Sequence, residues 1–343
     1  MSADASPPPR RASRLGLYLP VGLLALLVIG WSGAWFVIRG RVASGLDEWI
    51  AQEAGAGRRW TCADRTIGGY PFRIEIRCSD FTVDKPDGRT SLGRLLVVSQ
   101  VYRPRHVIAE ASGPLRVTGG DLEAEGSWKL LQASVIMAPG GFDLASLVAE
   151  EPVVKIRDPW GITVDLSSRH FEGHVRPQPG DRTAVDVATS SEGAVIPGLG
   201  ELIGGSERAD IILEMSVTKA HELPTQPLLR KLEGWREAGG SVALTKLSVK
   251  KGTARLEGTG TFAIDAGHRP EGQLDLRAEG LGGFLGQFAA GTGGLLGAIL
   301  GGGRAEPAAS EGALRRLPPL RMQDGRVLVG PVPVPGLRLP PLY

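Results

Sequence analysis

The chain has 343 residues, of which 42% are apolar and 22% charged, and its net charge is +2. That length holds one large domain or two smaller ones, and near-neutrality leaves no electrostatic footprint for nucleic acid. Glycine (49) and proline (25) are abundant, which suits many short strands and turns better than packed helices. Asparagine is absent, so tight hairpins must rely on Asp-Gly, Gly-Gly or longer loops.

Residues 1–14 are rich in Ser, Pro and Arg and read as a disordered tail. No charge occurs over 15–38, a run long enough for the roughly 20 residues that cross a bilayer core. Trp31 and Trp35 suit one interface and Tyr18 the other. The rival reading is a cleaved signal peptide, since Ser32-Gly33-Ala34 offers small residues for cleavage. The apolar run continues past that point through Ile38, which favours a retained anchor. Arg10, Arg11 and Arg14 precede the run and Arg39 and Arg41 follow it, so the positive-inside rule barely discriminates. The short tail is expected to stay in the cytoplasm and the long domain to be exported.

Residues 41–54 read as a separate amphipathic helix, with Val42, Leu46, Trp49 and Ile50 at helical spacing and Gly55 and Gly57 ending it. In 60–78 Phe72, Ile74, Ile76 and Cys78 alternate with Arg73, Glu75 and Arg77, after a Gly68-Gly69 turn signal. A hairpin folded about Tyr70 brings Cys62 to Cys78, and two cysteines so placed suggest a disulfide in an oxidising compartment. The alternative is two unrelated buried thiols.

Trp49-Ile50, Trp60, Cys62, Gly69-Tyr70-Pro71-Phe72-Arg73 and Cys78 resemble the start of an uncharacterised alphaproteobacterial family, domain of unknown function 2125. Tyr102-Arg103-Pro104, Gly113-Pro114-Leu115, the stretch Asp324 to Pro331 and the ending Pro340-Pro341-Leu342-Tyr343 fit the same pattern. The resemblance implies an exported, single-span envelope protein and little more; it supplies no catalytic residues. Together with the anchor, the size of the domain and the cysteines, the expected location is the bacterial inner membrane, with the C-terminal domain in the periplasm.

Strands are expected over 94–101, 106–117 and 122–138, then a short helix over 142–149 with Leu144 and Val148 inward. Two more strands fall in 152–177, split at Asp158-Pro159-Trp160-Gly161. Residues 180–194 read only as polar, and 196–205 as a Gly-rich link. Residues 209–218 form a strand with Ile211, Leu213, Met215 and Val217 on one face. A helix over 228–238 ends at Gly239-Gly240. The clearest alternation follows. Leu256, Gly258, Gly260, Phe262 and Ile264 share one parity, Arg255, Glu257, Thr259 and Thr261 the other, and Leu274 and Leu276 resume it after a turn. The uncharged 280–303 is expected as a helix capping that sheet, with Phe284 and Phe288 on its inner face, or as a patch dipping into lipid. Asp324-Gly325 closes a last hairpin that sets Leu320 and Met322 against Val327 and Val329. The helix-then-meander order recurs, suggesting two lobes over 60–200 and 209–343. The fold class is thus mainly β, with antiparallel curved sheets, a few short amphipathic helices and one N-terminal transmembrane helix. The final meander also resembles the last lobe of AsmA-type envelope proteins, an architectural likeness that implies a lipid-binding groove.

No Walker loop, G-x-S-x-G or H-E-x-x-H occurs. His170 and His174 lie in β-like flanks without a third ligand, so neither a metal, a cofactor nor an enzymatic activity is expected. Two functions of different class remain. In one, a sheet groove lined by Leu256, Gly258, Gly260, Phe262, Ile264, Leu274 and Leu276, with Phe284 or Phe288 at its mouth, holds or transfers lipid. In the other, a structural or interaction protein of the envelope covers its sheet with its own chain. Gly258 and Gly260 mark either a tight bend or a channel floor. The channel version predicts that Gly260→Leu blocks lipid while the domain stays folded. The expected partners are the bilayer and its lipid, not nucleic acid.

Overall fold

The computed structural model describes residues 15–119, 122–157, 163–197, 207–220, 228–280 and 314–343. The described residues open with one unbroken helix, α1 (Leu15–Gly55, 41 residues). The apolar run and the amphipathic stretch, read above as separate elements, are therefore continuous. Gly40 between them costs an exposed helix only about 1 kcal/mol, too little to break it. The helix ends where Gly57 turns to a φ of +82°, a conformation that costs glycine little.

β1 (Arg59–Gly68) and β2 (Arg73–Lys85) form the predicted hairpin. Its register differs from one centred on Tyr70: Ile67 faces Ile76 and Thr61 faces Thr82. A bulge on each strand, at Asp64 and Asp80 with φ near +48°, shifts the pairing between these points. The two bulges offset one another, and Cys62 and Cys78 meet in a disulfide with Cα atoms 5.4 Å apart.

Among the described residues seventeen further strands continue the sheet. They are β3 (Gly88–Gln100), β4 (Arg103–Gly119), β5 (Leu122–Ser127), β6 (Leu130–Ala138), β7 (Gly141–Glu150), β8 (Val153–Arg157), β9 (Thr163–Ser167), β10 (His170–Gln178), β11 (Asp181–Ala194) and β12 (Ala209–Val217). After α2 (Leu228–Glu237) come β13 (Val242–Lys251), β14 (Ala254–Ile264), β15 (Pro270–Glu279), β16 (Arg315–Arg316), β17 (Leu320–Gln323), β18 (Arg326–Val329) and β19 (Val332–Arg338). All nineteen strands among the described residues belong to one sheet, and the described ladders are antiparallel.

Several short strands are halves of longer ones. β5 and β6 pair with β8 and β7 in one uninterrupted register, from Glu123 opposite Arg157 to Ile136 opposite Leu144. β8 and β7 do the same with β9 and β10. The interruptions line up across the sheet: Asp80 stands opposite Gly93, and the line continues through Gly113-Pro114, Trp128-Lys129, Glu151-Pro152, Ser168-Arg169 and Gly193. Bulges bend strands and raise their twist, so a row of them creases a sheet along one line. Gly93 fits there because a Cβ would lie 2.6 Å from the Gly113 carbonyl oxygen.

Two sequence expectations are corrected. Residues 142–149 are strand β7, not a helix: the spacing of Leu144 and Val148 also fits one face of a strand, and ladders to β6 and β10 satisfy its backbone on both sides. Residues 181–194, read only as polar, are the central strand β11. Its ladder to β12 carries the sheet across the segment where the sequence suggests a boundary between lobes. The helix at 228–238 is present as α2; Trp235 is buried there and donates to the Thr218 carbonyl at 2.7 Å. The Asp324-Gly325 hairpin has the expected register. The stretch 281–313, with Phe284 and Phe288, and 198–206 lie outside the described residues.

Candidate functional site

The candidate site is the apolar face of the sheet. β14 keeps the alternation read in the sequence: Leu256, Gly258, Gly260, Phe262 and Ile264 turn away from solvent while Arg255, Glu257, Thr259 and Thr261 are exposed. Leu274 and Leu276 on β15 face Gly260 and Gly258 directly. On the other side, Leu244 and Leu247 of β13 meet the same two glycines. These leucines differ in parity, and a bulge between them brings both to one face. Sequence alternation could not show that.

The register extends this face across the molecule. One row runs Ile67, Ile76, Val97, Ala109, Ala133, Leu147, Gly173, Thr189, Leu213, Leu247, Gly258, Leu276, each opposite the next. A second runs beside it: Ile74, Ser99, Val107, Val135, Ala145, Val175, Val187, Met215, Leu244, Gly260, Leu274, Leu320, Val329. Apart from Thr189 and Ser99, both rows are apolar or glycine. The first takes eleven strand-to-strand steps, roughly 50 Å at the usual spacing between strands. The neighbouring row on the opposite face is mostly polar: Arg77, Glu110, Gln132, Glu172, Ser190, Ser248, Glu257, Arg277 and Arg316, interrupted by Leu96, Val148 and Ile212. Most strip residues are half-buried; Ile74, Leu244, Gly258 and Val329 are buried. The sequence singled out only the β14–β15 end of this strip.

At that end the glycines are tightly surrounded. A Cβ on Gly260 would lie 2.4 Å from the Gln273 carbonyl oxygen and 3.2 Å from the Phe262 ring. On Gly258 it would meet Leu276 Cδ2 at 2.8 Å and Leu247 Cδ2 at 3.4 Å. Glycine here admits close neighbours. Leu256 packs with Ile211, Leu247 and Leu317 around buried Ala209, Val249, Ala254 and Ala278. A cavity of about 510 Å³ lies against β13, β14 and β15. Its lining includes Lys246, Glu257, Asp275, Arg277 and Arg316, so it is not a purely apolar pocket.

The strip begins beside α1. Trp35 of that helix is buried and donates to the Arg73 carbonyl at 3.0 Å; Arg39 donates to the Ile67 carbonyl at 2.8 Å. Farther along, Arg65 pairs with Asp47 at 2.6 Å, and the Trp49 and Trp60 rings lie 4.7 Å apart. The helix thus covers the edge strand β1, whose backbone would otherwise invite pairing.

His170 and His174 sit on one face of β10 with Glu172 between them. His170 Nδ1 meets Glu150 at 2.9 Å and its Nε2 meets Glu172 at 2.9 Å; His174 meets Ser146 at 2.9 Å. The hydrogen bond to Glu172, then that to Glu150, raises the His170 pKa above its ordinary value. This is an ion-paired strand surface. At the C-terminus Tyr343 donates to Glu233 at 2.7 Å and stacks on His268. Arg236, then Tyr343, holds the Glu233 carboxyl down to about 2.

Fold and site define a protein built on one continuous antiparallel sheet with an apolar strip, carrying an N-terminal helix long and apolar enough to cross a membrane. A family model described as an uncharacterized protein conserved in bacteria (DUF2125) matches residues 35–337. The chain belongs to the DUF2125 family, as its Gly69 to Arg73 and Cys62/Cys78 signals suggest. No curated protein and no solved structure matches it.

Proposed function

We propose that this protein is anchored in the bacterial inner membrane by the apolar part of α1, with its sheet in the periplasm, and that it holds lipid acyl chains along the strip. The observation that carries the reading is the strip's continuity: two adjacent apolar rows cross the sheet, half-open, from the strands beside α1 to β15. An acyl chain gains about 0.8 kcal/mol for each buried methylene, before ordering costs, and a strip of this length accommodates a whole chain. The role is binding or transfer and includes no catalytic step.

The covered cluster around Ala209, Val249, Ala254 and Ala278 favours a second reading for the β12–β15 end. There the sheet is closed by its own residues, as in a structural or interaction protein. Photo-crosslinking separates the two. A benzophenone amino acid replaces Val97, Ala133, Val187 or Leu274 on the strip, or Glu110 or Ser190 on the opposite face, in the full-length protein in membranes. Lipid adducts by mass spectrometry at strip positions alone are the expected result. Adducts at neither set would leave the covered-sheet reading standing.

A further inference from the structure

We propose that the tips of the β1–β2 and β3–β4 hairpins form a foot that rests in the headgroup layer of the bilayer. The foot comprises Tyr70 and Phe72 on one tip and Tyr102, Arg103 and Arg105 on the next, and the inference rests on the anchored reading of α1. The β1–β2 tip is held against the helix at Trp31–Trp35. Trp31 donates to the Pro71 carbonyl at 2.9 Å, Ser32 shares a 2.8 Å hydrogen bond with the Tyr70 hydroxyl, and the Trp35 and Tyr70 rings lie 5.4 Å apart. Trp31 and Trp35 precede Arg39, the first charge after the apolar run, by eight and four residues. At the helical rise that is about 6–12 Å, on the lipid side of Arg39. A hairpin tip fixed at that level cannot sit clear of the bilayer if the helix spans it.

The tip chemistry agrees with that depth. Tyr70, Phe72 and Tyr102 are 50%, 59% and 62% exposed, a large aromatic surface for water to cover. The second tip adjoins the first through a 2.9 Å hydrogen bond from the Val101 amide to the Phe72 carbonyl. Arg103 and Arg105 are exposed. Aromatic rings favour the membrane–water interface and arginines the phosphates beside it. The β2–β3 turn at the opposite end of the same hairpin, Pro86-Asp87, carries no aromatic residue. The foot places the first residues of the strip, Ile74 and Ile76, at the bilayer surface, where a chain leaving the leaflet would meet them.

The test uses the full-length protein in vesicles of phosphatidylcholine and phosphatidylglycerol containing a lipid with a headgroup nitroxide. Single fluorophores are attached at Phe72→Cys, Tyr102→Cys, Asp87→Cys and Leu24→Cys; the two native cysteines are joined and do not react. A tail-nitroxide lipid must quench position 24 if the helix spans, and failure there overturns the anchored reading itself. With position 24 quenched, the foot requires headgroup-nitroxide quenching at 72 and 102 at least twofold above that at 87. Equal quenching at 72, 102 and 87 overturns the foot and leaves the anchor intact.

Discussion

Gly260→Ala tests how the strip is built, with Gly173→Ala as its partner on the same face. The Gly260 Cβ would be placed 2.4 Å from the Gln273 oxygen and 3.2 Å from Leu274 Cα, both in the backbone of the adjacent strand. Neither can yield without opening the β14–β15 ladder, and overpacking of this kind costs about 1–3 kcal/mol. The reduced freedom of the unfolded chain returns about 0.4–1 kcal/mol, leaving Gly260→Ala destabilised by up to about 2.6 kcal/mol. At Gly173 the nearest atom to a Cβ is Phe171 Cε1 at 3.5 Å, an ordinary contact, and Thr189 follows at 3.8 Å. That substitution should be neutral or stabilising by up to about 1 kcal/mol. The two variants should therefore melt several degrees apart, at about 2–4 °C per kcal/mol in a large domain. Differential scanning fluorimetry of the full-length protein in detergent reads this directly. Equal melting temperatures would refute the claim that glycine serves close strand approach. The same geometry makes Gly260→Leu a disruptive substitution rather than a clean channel plug.

Three further outcomes are expected. Cys62→Ser and Cys78→Ser should each destabilise by roughly 3 kcal/mol on chain-entropy grounds, with the double variant no worse, and free thiols titrating in the unreduced native protein would contradict the bridge. His170 gains protonated-state partners on folding, so its contribution is complete below the unfolded pKa of about 6.5 and disappears as pH rises through the raised folded value. The wild type should thus lose more stability than His170→Gln between about pH 6 and alkaline pH, and parallel melting curves would show the His170 ion pairs to be inert. A carbonate wash should leave the full-length protein in the membrane pellet; recovery in the supernatant with a new N-terminus at Trp35 would instead indicate cleavage.

The sequence by itself determined the elements whose signal is local. The uncharged run, the alternation from Ala254 to Leu276, the Asp324-Gly325 turn and the disulfide partners were legible because each depends on neighbours in the chain. The pairing of Cys62 with Cys78 survived a wrong register because two bulges offset one another, which no spacing rule reports. β7 is ambiguous in the sequence because Leu144 and Val148 fit a helix and a strand equally, and β11 is silent there because Thr189, Ser190 and Ser191 carry little apolar pattern. Only the tertiary structure supplied their partners on both sides. It alone aligned Gly258 and Gly260 with Leu247 and Leu244 across a bulge, joined the one-sided strands into one strip, and set the Tyr70 tip against α1 with the Tyr102 tip next to it. The physical reason is that alternation tells which residues share a face within one strand, whereas register between strands is a long-range choice made by the whole sheet.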